Sequence, residues 1–243
     1  MKILTIANKF INKLVFGYKA SSKSYIKYLR ENGALVGNGV YFYNSPSINI
    51  ATTELYLLEI GNNVQITSGV SILTHDYGWA VTKGIYADVL GSARPIKIGN
   101  NVYIGSNATI LAGSVIEDNC IIGANSLVNG HIPSGSVAVG NPCKVIYTID
   151  EYHKRRIKEQ EKEAVAIIQM YYNHIGKIPS KEVLNEHFWL FENEKDCLPK
   201  EFINQNNLIL GSEEQTWINF SKHEKAFKNY DELVNYALSR RGN

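Results

Sequence analysis

Residues 98–128 read IGNNVYIGSNATILAGSVIEDNCIIGANSLV, and the spacing within that run decides the fold. An aliphatic side chain recurs at every sixth position: Ile98, Ile104, Ile110, Ile116, Ile122 and Val128. Glycine follows directly at Gly99, Gly105 and Gly123, and a small or β-branched residue stands four after the aliphatic one at Val102, Ala108, Cys120 and Ser126. Neither the period of an amphipathic helix nor the alternation of a half-buried strand produces a step of six. A β-sandwich with regular turns would not hold that phase for so long either. Six residues supply one short strand and one tight corner, and three such units close a triangular coil of about 18 residues. Every sixth aliphatic side chain then points inward and stacks on its equivalent in the next coil. Gly61, Asn62 and Asn63, and again Gly99, Asn100 and Asn101, tolerate the left-handed backbone that tight corners demand.

Upstream the same step continues through Val36, Phe42 and Ile48, then Ile60, Ile66 and Ile72, with Glu54 the one interruption. At the ~4.8 Å spacing of neighbouring strands, five or six coils make a parallel β-helix roughly 25 Å tall. The phase breaks between Ile72 and Ile98, so residues 76–95 are predicted to leave the coils as a loop, carrying Tyr77, Trp79, Tyr86 and Arg94. Loops on a rigid repeat scaffold are favoured places for function.

Around this core the chain divides into a basic helical segment (1–33), the repeat zone (34–147) and a helical extension (148–243). The 243 residues are 44% hydrophobic and 20% charged, an ordinary globular composition, and a net charge of +2 excludes a dedicated nucleic-acid binder. Cys120, Cys143 and Cys197 show no paired spacing and read as reduced thiols, which with the lack of a signal-peptide pattern or a bilayer-spanning run predicts a cytoplasmic protein.

His75 stands where a coil gives way to the loop. An imidazole near neutral pKa is suited to removing a proton from a hydroxyl or amine as it attacks an acyl group. The alternative is a surface histidine without chemistry. Asp76 is a candidate to orient the ring or, with Tyr77 and Trp79, to contact the acceptor; the two aromatic residues are candidates to line an acceptor pocket or to pack the loop. His131 is the repeat zone's other histidine, so the three histidines of an intersubunit zinc site are lacking and no metal is expected.

Four stretches carry a family resemblance: Thr74-His75-Asp76-Tyr77-Gly78-Trp79, residues 98–106, residues 122–128, and Val139-Gly140-Asn141-Pro142-Cys143-Lys144-Val145-Ile146. They resemble the bacterial hexapeptide-repeat acyltransferases, most nearly those that O-acetylate capsular or surface polysaccharides. The resemblance implies a left-handed β-helix, a homotrimer, acetyl-CoA lying in grooves between subunits, and His75 as general base. It also implies that Ser106, Ala124, Tyr103 and Lys144 contact CoA, with Lys144 near its phosphates. Two positions depart from the family pattern: Tyr103 stands where a Trp is frequent, and Asn129-Gly130 where a Thr-Lys pair is frequent. Without a ligand role, turn geometry accounts for Ser106 and Ala124, and a solvated charge for Lys144. O-acetylation of a carbohydrate is the leading expectation; N-acetylation of an amino sugar or xenobiotic, and a non-catalytic scaffold, remain as alternatives.

At the ends, Ile3, Ala7, Phe10 and Leu14 form a helical stripe between lysines, which either caps the β-helix or lies on an anionic membrane; the cap is favoured. Residues 150–174 are predicted as a helix. A capping box at Ser221-Lys222-His223-Glu224 predicts a last helix running to about Arg240. The aromatic stretch 187–191 either packs or shapes an acceptor site.

Overall fold

The computed structural model describes residues 11–200, 202–203 and 213–240. The chain forms two compact units, Met1–Tyr152 and His153–Asn243. Residues 11–33 and the repeat zone are described together as part of the first unit.

The first unit is a left-handed parallel β-helix with three faces. Face one stacks Leu35–Val36, Leu58–Ile60, Ile96–Ile98, Val115–Ile116 and His131–Ile132. Face two stacks Tyr41–Phe42, Gln65–Ile66, Tyr103–Ile104, Ile121–Ile122 and Ser136–Val139, and Lys144–Thr148 closes it antiparallel. Face three stacks Asn49–Ile50, Ser71–Ile72, Thr109–Ile110 and Leu127–Val128. There are therefore four complete coils and two faces of a fifth, rather than five or six full ones. Ile66, Ile104 and Ile122 pair in register, as do Ile72, Ile110 and Val128, and all are buried. Each such isoleucine contributes about 2 kcal/mol relative to exposure.

The corners explain why the strands are so short. Asn63, Asn101 and Asn119 adopt left-handed φ values of 55°, 54° and 59°, turning the chain from face one to face two. Beside them the Asn62 amide donates to Asn100 Oδ1 at 2.8 Å, and the Asn100 amide to Asp118 Oδ1 at 2.6 Å, so side chains carry the ladder round the bend. Gly61 is required by contact: a Cβ there would lie 2.6 Å from the Gly99 carbonyl oxygen.

The first coil corrects the expected phase. Ile48 is buried, but Ile50 is the residue that pairs with Ile72. Left-handed Asn44 and a 3-10 turn over Ser45–Ser47 add two residues at one corner. A second turn over Leu55–Leu57 follows Glu54 at the next corner and adds four more. Together they equal one repeat, so Ile60 stays in phase although the residues between have slipped.

The open end is capped by helix α1, Ser22–Glu31, which starts in a Ser21/Ser24 capping box and buries Tyr25 and Leu29 in the same core as Phe42 and Ile50. Of the stripe predicted for this role only Leu14 is described. Ile3, Ala7 and Phe10 lie outside the described residues, and Leu14 is 79% exposed.

In the second unit, the helix Ile149–Ile175 contributes Ala164 and Ile168 to a core with Leu184, Phe188, Leu190, Phe191, Phe220 and Leu233. The aromatic stretch is therefore largely core. The last helix begins later than predicted. Ser221 and Lys222 end the helix Glu213–Lys222, the Ser221 hydroxyl donating back to the Ile218 carbonyl. Asn229 caps the helix Tyr230–Ser239 by accepting from the Glu232 amide. Among the described residues no helix is long and apolar enough to cross a membrane.

Candidate active site

Residues 76–95 leave the β-helix at the corner between faces three and one, as the phase break predicts. The excursion is more ordered than a loop. His75–Asp76 pairs antiparallel with Ser92–Ala93 to form a neck, and helix α2, Trp79–Tyr86, forms the tip. No residue of α2 is buried, so burial imposes no period on its sequence.

His75 sits at the root of this neck. Its Nδ1 lies 2.6 Å from Oε2 of Glu54, with the imidazole 18% and the carboxylate 27% exposed. The approach is short but is not a formed hydrogen bond, and Nδ1 has no hydrogen-bond partner among the described residues. Glu54 comes from the insertion one coil below, on the same corner. Thr74 Oγ1 lies 3.4 Å and Thr53 Oγ1 3.3 Å from the same carboxylate oxygen, which fixes its direction. Glu54 thus faces the Nδ1 edge of the ring, and Nε2 lies on the edge away from it.

Asp76 does not fill the orienting role. Its Oδ1 accepts the Gly78 amide and its Oδ2 the Ser92 hydroxyl, both at 2.8 Å, closing the neck. Those two hydrogen bonds, the Gly78 amide foremost, hold its carboxyl below the usual range. Tyr77 stands edge-on to the imidazole at 5.3 Å between ring centroids and edge-on to Trp79 at 6.1 Å. Tyr77 is exposed and Trp79 half-buried, so the two rings form one wall beside His75.

The residues tied to CoA by resemblance lie elsewhere on the chain. Ser106 and Ala124 occupy successive coils at the corner between faces two and three, where the Ser106 carbonyl accepts the Asn125 amide at 2.8 Å. Exposed Lys144 pairs with Val139, next to that corner one coil higher. Exposed Tyr103 points outward from face two. One chain therefore brings together His75, Glu54, Tyr77 and Trp79 at one corner, and Ser106, Ala124 and Lys144 at another, with face three between. A groove of about 550 Å³ along face one, lined by Glu59, Lys97, Asn100, Glu117 and Asp118, includes none of these residues. His131 is paired with Glu117 at 2.9 Å, and no group of three or more His, Cys, Asp or Glu able to hold a metal occurs among the described residues.

Glu54 is the residue sequence reading missed. Its only signal was negative: an acidic residue where the six-step called for an aliphatic one.

The family described as bacterial transferase hexapeptide (six repeats) matches residues 95–130. Protein CapG of Staphylococcus aureus is 38% identical over 133 residues, 55% of this chain and 76% of CapG. The chain belongs to the hexapeptide-repeat acetyltransferases. Within that family, galactoside O-acetyltransferase of Escherichia coli K12 is 37% identical over 122 residues, 50% of this chain and 58% of the relative. The putative lipopolysaccharide biosynthesis O-acetyl transferase WbbJ of the same strain is 31% identical over 126 residues, 45% of this chain and 61% of WbbJ. The chain thus spans about three-fifths of these two acetyltransferases.

Proposed function

We propose that the chain is an acetyl-CoA-dependent O-acetyltransferase whose acceptor is a carbohydrate, a surface polysaccharide or its precursor, and that it works in the cytoplasm. The observation that carries this reading is the His75–Glu54 pair beside the aromatic wall. The acceptor hydroxyl gives its proton to His75 Nε2 as its oxygen attacks the thioester carbonyl carbon. The tetrahedral intermediate then collapses, the C–S bond breaks, and the imidazolium returns the proton to the departing thiolate. Glu54 steadies the ring while it carries the charge. No acyl-enzyme is required: Cys120 is buried, and desolvation pushes its thiol pKa up.

Tyr77 and Trp79 offer apolar faces to a sugar ring. Lys144, with Ser106, Ala124 and Tyr103 along the neighbouring corner, is assigned to the CoA side, where an ammonium favours phosphate. Because these groups occupy different corners of one chain, the complete site is assigned to the groove between copies in a homotrimer. The excursion supports that assembly: Tyr77, Val81, Ile85 and Leu90 are 64–68% exposed, an apolar surface that another copy would cover. The names of the relatives favour a sugar acceptor and an ester product.

The test is release of free CoA thiol from acetyl-CoA with a panel of sugars and oligosaccharides. Acceptor-dependent release with an alkali-labile product is the expected result. An alkali-stable product would mean N-transfer, and no release above background with any acceptor would favour a scaffold.

A further inference from the structure

Residues 11–16 are helical yet every one is exposed, with Ile11 at 55%, Leu14 at 79%, Val15 at 64% and Phe16 at 43%. A helical turn whose described side chains are all exposed gains nothing from burial. This one is nevertheless held firmly at its downstream end. The Tyr18 ring stacks on Tyr28 of α1 at 3.8 Å and leans on Tyr25 at 5.6 Å. Lys19 Nζ donates to the Ile48 carbonyl, and the Lys19 carbonyl accepts the Ser45 hydroxyl, both at 2.8 Å. The apolar turn therefore projects from a fixed point on the capped end of the β-helix, and α1 already performs the capping that would otherwise have explained it.

Charge indicates what covers the turn. Lys2, Lys9, Lys13, Lys19, Lys23, Lys27 and Arg30 precede Glu31, the first acidic residue. Lys13 and Lys23 are exposed, as is Lys27, which meets Glu31 at 3.6 Å. Two copies meeting through this end would oppose like charges, which disfavours a protein partner of the same sequence. Apolar side chains flanked by unopposed lysines suit the interface of an anionic bilayer.

We infer that residues 11–18 are a membrane-surface anchor: Ile11, Leu14, Val15 and Phe16 enter the headgroup–acyl boundary of an anionic lipid leaflet while Lys13 and Lys23 meet its phosphates. The anchor seats the β-helix end-on against the leaflet. It neither needs nor alters the His75–Glu54 pair, so membrane binding and turnover fail independently.

Flotation of the 243-residue chain with vesicles of about 30 mol% phosphatidylglycerol in phosphatidylcholine tests it, against pure phosphatidylcholine. The chain should float with the anionic vesicles only, and about 0.5 M salt should weaken binding about tenfold or more. Leu14→Glu with Val15→Glu should abolish flotation without lowering the melting temperature, since neither side chain packs. Absence of flotation at low salt, equal binding to neutral vesicles, or parental binding by the double variant each overturns the anchor. So does a change of oligomeric state in that variant without loss of a lipid signal, which would make the turn an interface between copies.

Discussion

Replacing Glu54 by Gln keeps its shape and removes its charge. The cost falls on the transition state, where the ring becomes an imidazolium. A hydrogen bond to a charged partner contributes about 1.5–3 kcal/mol. The 2.6 Å separation argues for the upper part of that range, whereas the unformed hydrogen bond and the partial exposure of both side chains, 18% and 27%, argue for the lower. About 2 kcal/mol corresponds to a fall of roughly thirtyfold in kcat. The KM for acetyl-CoA should hold steady, because an interaction made only in the transition state leaves ground-state binding alone. Asp76→Asn is the informative companion. Its carboxylate closes the neck, so its loss should loosen the acceptor wall and raise acceptor KM, with kcat within about threefold of the parent. Thiol release at saturating acceptor, measured for the parent and both variants, decides between the carboxylates. Parental kcat in Glu54→Gln, or a larger fall in Asp76→Asn, would refute Glu54 as the group that positions His75.

Four further outcomes follow from the same geometry. His75→Ala should lower turnover about a thousandfold, while acetyl-CoA still raises the melting temperature; near-normal rates would remove the general base. Val81→Asp with Ile85→Asp should break the oligomer and turnover together by sedimentation and thiol release, and an intact assembly would show that the excursion is not an interface. Gly61→Ala places a Cβ 2.6 Å from the Gly99 carbonyl oxygen, so denaturant midpoints should report a loss of about 2 kcal/mol or more. In the second unit, two hydrogen bonds from Arg156 lower the Glu163 pKa to about 2. A depressed carboxyl stabilises the fold above its unfolded pKa and loses that contribution as pH falls from 4.5 towards about 2. The effect is small because Glu163 is 40% exposed. The melting-temperature gap between parent and Glu163→Gln should close across that window, and a gap independent of pH would contradict it.

The second half of the β-helix is legible because nothing is spliced into residues 98–128 and every sixth residue, pointing inward, is aliphatic. The first coil is harder to read. Its two insertions sum to one repeat, so the sixfold step appears continuous while Ile50, not Ile48, occupies the strand position. His75 can be found as a histidine at a phase break. Glu54 cannot be assigned its place by spacing, because its contact with His75 arises from the stacking of one coil on another. Asp76 is adjacent in sequence, yet the neck turns its oxygens towards Gly78 and Ser92. Ser221 satisfies the capping pattern, but its hydroxyl bonds back into a helix that is ending, which the pattern alone does not distinguish.

Glu54 and His75 both come from segments spliced in at one corner, outside the six-residue register. The hydrogen-bond rungs on either side close across those splices as if they were absent, Ile60 on Ile98 and Ile72 on Ile110. Scaffold and reagent are thus written in separate parts of the chain. That edge can be lengthened, shortened or exchanged for another while the spine beneath it keeps its pitch, so a new acceptor preference is reachable without refolding the protein.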